Sequence, residues 1–225
     1  MATAAVKASS FLTSSIGQKL VMSLTGIFLV TFLIAHLAGN LLLFQGKEAF
    51  DAYARFMATS PLIRLPEILM FLGFMLHIYQ GIKLNSQNTA ARPVGYKVNA
   101  GAKNSSFFSR YMVHSGIIVL IFLLIHLYSF FVRHRILHNA GDSMYDTVVE
   151  AFANPFYSMF YIVALVLLAF HLNHGIQSAF QSLGLQVNKR LGAKFQSAGT
   201  FLAVAICAGF ASIPLYFMLV AQGIL

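Results

Sequence analysis

The sequence predicts an all-α, polytopic membrane protein with five transmembrane helices. Three observations carry this. The 225 residues are 58% hydrophobic and only 9% charged, whereas soluble domains are about 25% charged. Mean hydropathy is +0.75. The apolar residues are gathered into five runs, each near the roughly 20 residues that a helix needs to cross the hydrocarbon core. Helices satisfy their own backbone hydrogen bonds, which lipid demands. The alternating pattern and frequent turns of a β-barrel are not seen.

The runs are Leu20–Phe44, Leu62–Ile82, Tyr111–Val132, Pro155–Ala179 and Ala198–Val220. All are rich in Leu, Ile, Phe, Val and Met, with no acid or base at their centres. The 19 residues before the first run are small, polar and weakly basic, and no A-x-A-like cleavage site follows it. The run therefore reads as a first membrane helix, not a removed signal. No segment between the runs is large enough to hold a soluble core, so residues 1–225 are expected to form a single integral membrane domain. Cys207 is the only cysteine, which excludes disulfide frameworks and thiolate clusters within the chain.

Charge orients the bundle. Lys7, Lys19, Lys83, Arg92, Lys97, Lys103, Arg110, Lys189, Arg190 and Lys194 fall on one side of the membrane. Lys47, Arg55, Arg64, Arg133 and Arg135 fall on the other, with all six acids: Glu48, Asp51, Glu67, Asp142, Asp146 and Glu150. Ten bases against five predict a cytoplasmic N-terminus and a C-terminus outside. The basic side can also serve a cytoplasmic docking partner. Nucleic acid is excluded as a partner, because the basic residues lie in short connections and not on a soluble domain.

The first and third runs resemble each other. TGIFLVTFLIAHL (Thr25–Leu37) aligns without gaps on SGIIVLIFLLIHL (Ser115–Leu127), matching Gly26 with Gly116 and His36 with His126. The second and fourth share LHIYQGI (Leu76–Ile82) and FHLNHGI (Phe170–Ile176), in which His77-x3-Gly81 parallels His171-x3-Gly175. Apolar helices resemble one another cheaply, so the matched histidines carry more weight than the repeat.

Of eight histidines, His134 and His138 fall in the connection between the third and fourth runs, where solvent is expected. His114 lies near the cytoplasmic end of the third run, within reach of the interface or of a propionate. His36, His77, His126, His171 and His174 are embedded in apolar helix, where an ionisable group usually faces the bundle interior and has a functional partner. At about 1.5 Å per residue, His36 and His126 lie about 24 Å from the inner side and His77 and His171 about 9 Å. Four helices thus offer one imidazole each, at two depths about 15 Å apart. Bis-imidazole ligation of two stacked haems requires this pattern, each iron taking one neutral imidazole from each of two facing helices. The other ring nitrogen needs an acceptor, commonly a backbone carbonyl. No C-x-x-C-H occurs, so the haems would be of the non-covalent b type. His174 could replace His171, but His171 matches the x3-Gly pattern. Gly81 and Gly175, one turn beyond their histidines, would let a flat macrocycle or a neighbouring helix approach. Gly26 and Gly116 lie near the inner depth on helices that supply no inner ligand.

The ordered combination of GIFLVTFLIAHLAGN (Gly26–Asn40), EAFDAYARFMATSP (Glu48–Pro61), His77-x3-Gly81, SGI through His126 and FYIVALVLLAFHLNHGIQSAFQSLG (Phe160–Gly184) resembles a known family. It is the single-chain dihaem cytochrome b anchor of succinate dehydrogenases and fumarate reductases, and the likeness covers nearly the whole chain. The resemblance implies that the first four helices form a dihaem-binding bundle. His36 and His126 would ligate the haem distal from the partner subunits, and His77 and His171 the proximal one. It implies partner subunits on the cytoplasmic side, one a flavoprotein with FAD and one carrying iron–sulfur centres, in a bacterial cytoplasmic membrane. The chain would be the electron-transfer and quinone-reactive subunit of a succinate:quinone oxidoreductase, with menaquinone or another quinone as substrate and no succinate chemistry of its own. The same subunit could serve the reverse reaction, quinol:fumarate reduction. Some relatives use an acid in the first outer loop at the quinone site. Here Arg55-Phe56-Met57 stands in that region with Glu48, Asp51 and Glu67 nearby, and the quinone site is left unassigned. The oligomeric state of the whole complex is open, a homo-oligomer included.

A proton channel or transporter using histidine as a relay is the competing reading. It predicts polar residues through the midplane and broken helices, whereas midplane polarity here is nearly confined to the histidines.

Overall fold

The computed structural model describes residues 14–91, 110–137 and 143–225. His138 and Asp142, and Lys7, Arg92, Lys97 and Lys103 of the basic set, lie outside them. The described chain is all helical in its regular structure. Helix α1 spans Ser15–Asn40 and tightens into a 3-10 turn over Leu41–Gln45. Helix α2 is Lys47–Thr59 and α3 is Pro61–Ala90. Helix α4 begins at Met112–His126, continues as a π-helical stretch over Leu127–Val132 and closes at Arg133–Arg135. Helix α5 is Met144–Ala153, α6 is Pro155–Ser182 and α7 is Lys189–Ala221.

Five of these are long and apolar enough to cross a membrane: Ser15–Gln45, Pro61–Ala90, Met112–Arg135, Pro155–Ser182 and Lys189–Ala221. The five runs read from the sequence fall on them to within one residue. The helices themselves run further, α3 on to Ala90 and α7 back to Lys189. Hydropathy marks where a helix leaves lipid, whereas backbone chemistry ends it. Nothing between Lys83 and Ala90 breaks a helix, and α7 starts where the Asn188 side chain accepts from Leu191 N at 2.9 Å. Helix α6 starts in the same way: Asn154 caps Phe156 N and Tyr157 N, with Pro155 at the first helical position.

Helix α6 is the centre of the bundle, packing against α1, α4 and α7. Its buried residues Tyr161, Leu165, Leu168, Leu172, Ile176 and Ala179 recur every three or four positions, which makes one continuous stripe. Lipid supplies no hydrophobic drive between helices, so close packing must hold them together. Small residues provide it, with Ala203 fully buried against the stripe and Gly209 leaving room for Leu37 of α1.

Helices α2 and α5 were not anticipated, since both fall in connections that hydropathy leaves polar. They are short amphipathic helices that pack on each other at one end of the bundle, here called the cap end. Phe50 of α2 and Val148 and Phe152 of α5 bury themselves against Leu43, Tyr161, Ile213 and Phe217. Lys47 and Asp146 form an ion pair across the cap, and Tyr145 N donates to Asp51 Oδ1 at 2.9 Å. The opposite end, which carries Lys19, Lys83, Arg110 and Lys189, is called the basic end.

Candidate functional site

Between α1, α3, α4 and α6 lies a continuous cleft of about 2940 Å³. Sites for one drug-sized molecule occupy about 300–1,000 Å³, so the cleft has room for more than one ligand. His36, His77, His126, His171 and His174 all line it. No three His, Cys, Asp or Glu side chains converge among the described residues.

At the basic end, His77 of α3 and His171 of α6 are held in the same way by different helices. Thr25 Oγ1 of α1 lies 3.2 Å from His77 Nδ1, and Ser115 Oγ of α4 lies 3.3 Å from His171 Nδ1. A hydroxyl has one proton to give. Thr25 gives its proton to the Val21 carbonyl (2.9 Å), with the Met22 carbonyl at 3.1 Å, and Ser115 gives its own to the Met112 carbonyl (2.8 Å). A hydroxyl that spends its proton on a carbonyl is left to accept at the imidazole, which would put the hydrogen on Nδ1 of each ring and leave each Nε2 its lone pair.

The next residue in each helix is the matched glycine. A Cβ on Gly26 would stand 3.5 Å from His77 Cε1, and one on Gly116 would stand 3.4 Å from His171 Cε1. These two glycines thus form the wall on which the two rings lie. A methyl would just fit there and anything larger would push the ring aside. A Cβ on Gly175 would meet nothing within 4 Å, and one on Gly81 would meet only Met22 Cε at 3.7 Å. Both line the cleft, leaving it open one turn beyond each histidine.

At the cap end, the rings of His36 and His126 approach to 5.9 Å between centroids, nearly perpendicular at 84°. Aromatic rings surround them. Phe32 stacks on His36 at 5.2 Å with Phe210 at 5.5 Å, and Phe122 and Phe130 lie against His126. Tyr161 Oη of α6 lies 3.4 Å from His126 Nδ1. The Asn40 amide, one turn along α1 from His36, donates to the His36 carbonyl at 2.8 Å and sits 3.3 and 3.4 Å from its two ring nitrogens. It does not distinguish one nitrogen from the other.

These features fit two metal-bound macrocycles. The donor set is two imidazole pairs lining one cleft, with a hydroxyl at Nδ1 of both basic-end rings. The 5.9 Å between the cap-end rings is close to the span of two metal–nitrogen bonds of about 2 Å and two ring radii.

The chain matches the family described as succinate dehydrogenase/fumarate reductase transmembrane subunit over residues 85–211, more than half of its length. It is also 30% identical over 173 residues to the succinate dehydrogenase cytochrome b558 subunit of Bacillus subtilis (strain 168), covering 75% of this chain and 80% of that protein. The chain belongs to the succinate dehydrogenase/fumarate reductase transmembrane subunit family. No solved structure matches it. Within this transmembrane subunit, the family match includes Ser115, His126, Tyr161 and His171 and begins after His77.

Several residues of the transmembrane subunit stand differently from expectation. Side-chain hydroxyls, not backbone carbonyls, stand at Nδ1 of His77, His126 and His171. Thr25 and Ser115 were visible as the aligned first residues of the repeat, but nothing in the sequence marked them as acceptors. Tyr161 gave no signal at all. His134 is half-buried, with Nε2 2.9 Å from Thr147 Oγ1 of α5. His114 is exposed and its ring lies 5.6 Å from that of Tyr111. The Ser115–Gly116 wall meets His171; His174, one turn on, also lines the cleft. Glu67 pairs with Arg64 and with Arg135 Nη2 at 3.2 Å, and Arg135 also donates to the Ala58 carbonyl. These bonds tie α3 to the end of α4 at the cap end.

Proposed function

We propose that this chain is the dihaem cytochrome b membrane anchor of a succinate:quinone oxidoreductase. It would pass electrons between an iron–sulfur subunit and membrane quinone. The observation that carries this is the arrangement of His77 and His171. Two helices present these imidazoles to one cleft, and two other helices place a hydroxyl at each Nδ1, which would leave both Nε2 lone pairs available. Unprotonated nitrogen is what a haem iron requires of a histidine ligand.

His77 and His171 would hold one haem b and His36 and His126 the other, each iron supplying a one-electron carrier. The chain's own groups do the rest. Thr25 and Ser115 orient two of the ligands and raise their basicity by accepting from Nδ1–H. Gly26 and Gly116 set the height of the rings, while Gly81 and Gly175 leave the approach clear. Phe32, Phe122, Phe130 and Phe210 keep the cap-end pair in an apolar setting, which tunes potential by excluding water.

By the bias of bases toward it, the basic end would face the cytoplasm. There it would meet the flavoprotein and iron–sulfur subunits. Quinone would exchange electrons from within the membrane, and whether the complex oxidises succinate or reduces fumarate would be set by its partners and quinone. Residues 1–225 would act as one integral domain in a bacterial cytoplasmic membrane.

The test is a reduced-minus-oxidised visible spectrum of the purified protein with a haem-to-protein ratio. Two b-type haems per chain are expected. A spectrum without b-type bands, or a ratio near one, rejects the reading.

A further inference from the structure

We propose that Tyr161 is the positioning residue that fixes the tautomer of His126, and that Tyr157 and the π-helical Ser129 hold it in that role. The inference rests on the ligand role proposed for His126.

Three hydroxyls form a chain ending at the imidazole. Tyr157 Oη donates to Ser129 Oγ at 2.9 Å, Tyr157 Oη and Tyr161 Oη are 3.1 Å apart, and Tyr161 Oη is 3.4 Å from His126 Nδ1. Each phenol has one proton to give. That of Tyr157 goes to Ser129, so the bond between the phenols runs from Tyr161 to Tyr157. Tyr161 then has no proton left for His126 and can only accept from it. Nδ1 of His126 therefore carries the hydrogen, and Nε2 keeps its lone pair. The last contact is longer than the usual 2.7–3.2 Å or so.

Two further observations support this arrangement. Tyr161 is only 4% exposed, and a buried phenol needs a partner for its hydroxyl. Ser129 lies in the π stretch that begins at the residue after His126. Single π turns inside α-helices gather at functional sites, and this one delivers Ser129 to Tyr157 of the neighbouring helix. The plain alternative is packing, since Tyr161 also lies against Phe122, Phe130 and Phe152. Tyr161→Phe separates the two, because it keeps the ring and removes only the hydroxyl.

The experiment is a redox titration of the b-type bands in the full-length protein, with haem content measured beside it. In Tyr161→Phe the His126 N–H loses its acceptor and the imidazole donates less to ferric iron. The ferric preference of one haem should fall about tenfold, which raises its midpoint by about 59 mV for a one-electron couple. The second haem should not move. In Tyr157→Phe the Tyr161 proton is freed to donate to His126 Nδ1, which favours the wrong tautomer. Haem affinity at one site should then fall by about tenfold, although Tyr157 does not touch His126. Ser129→Ala should act in the same direction as Tyr157→Phe. Two haems with unshifted potentials in Tyr161→Phe overturn the role of Tyr161 and leave the ligand reading standing. No b-type haem in the unmodified protein overturns both.

Discussion

The two histidine pairs are built on different plans. At the basic end the plan is symmetric: a hydroxyl residue and the glycine after it, from α1 in one half and α4 in the other, hold a histidine on α3 or α6. At the cap end it is not. His126 has a phenol from another helix, while His36 has an amide from its own helix that spans both ring nitrogens. The basic end is wholly contained in the sequence repeat, whereas the cap end depends on Tyr161 and Asn40, which have no counterpart in it. A shared ligand type therefore does not imply a shared support. On the proposed dihaem reading, the basic-end haem would have two similarly supported ligands and the cap-end haem two differently supported ones.

The largest expected effect comes from removing a ligand. His36→Ala should remove one haem and spare the other, and His77→Ala should remove the other one, as read by haem content. Loss of both, or of neither, in both variants would break the division into two pairs. Next is the wall on which a ring lies. Gly116→Ala places a methyl at ordinary contact distance from His171 and should keep both haems. Gly116→Leu must displace the ring and should lose the basic-end haem, with Gly26→Leu doing the same through His77. If Gly116→Leu keeps both haems, the wall has no role.

A smaller effect is expected from the hydroxyls. Thr25→Val and Ser115→Ala each leave an Nδ1–H without its acceptor. Each should weaken haem retention at the basic end by about tenfold or more, without change at the cap end. Equal effects in the two variants would bear out the symmetry. A response in only one would show that one ligand dominates. The smallest effect is expected at the cap surface, where Lys47→Ala removes an ion pair whose partners are both exposed. Haem content and both potentials should be unchanged.

Much of this architecture was legible beforehand, for a physical reason. Membrane helices must be apolar over their full span, so five of them stand out as runs. Buried histidines are costly there, so His36, His77, His126 and His171 stand out within the runs. Helices α2 and α5 were not legible. They lie at one end of the bundle, where polar residues and a few anchors such as Phe50 and Phe152 suffice, and short amphipathic stretches look like loops in a hydropathy reading. The π stretch after His126 was hidden too, since no residue type encodes a π turn. Tyr161 was hidden because an aromatic residue among aromatic residues reads as packing until its hydroxyl can be followed.

The way each basic-end histidine is supported bears on how the protein is made. His77 rests on α1, the spanning helix synthesised just before its own, and His171 rests on α4, again the preceding one. Each pair is a hairpin of consecutive spanning helices, and packing within the membrane follows insertion of the individual helices. The first hairpin can thus arrange its half of the site while the second is still being translated. What remains for the completed chain is to bring two finished halves face to face, and a cofactor caught between them would act as the clasp.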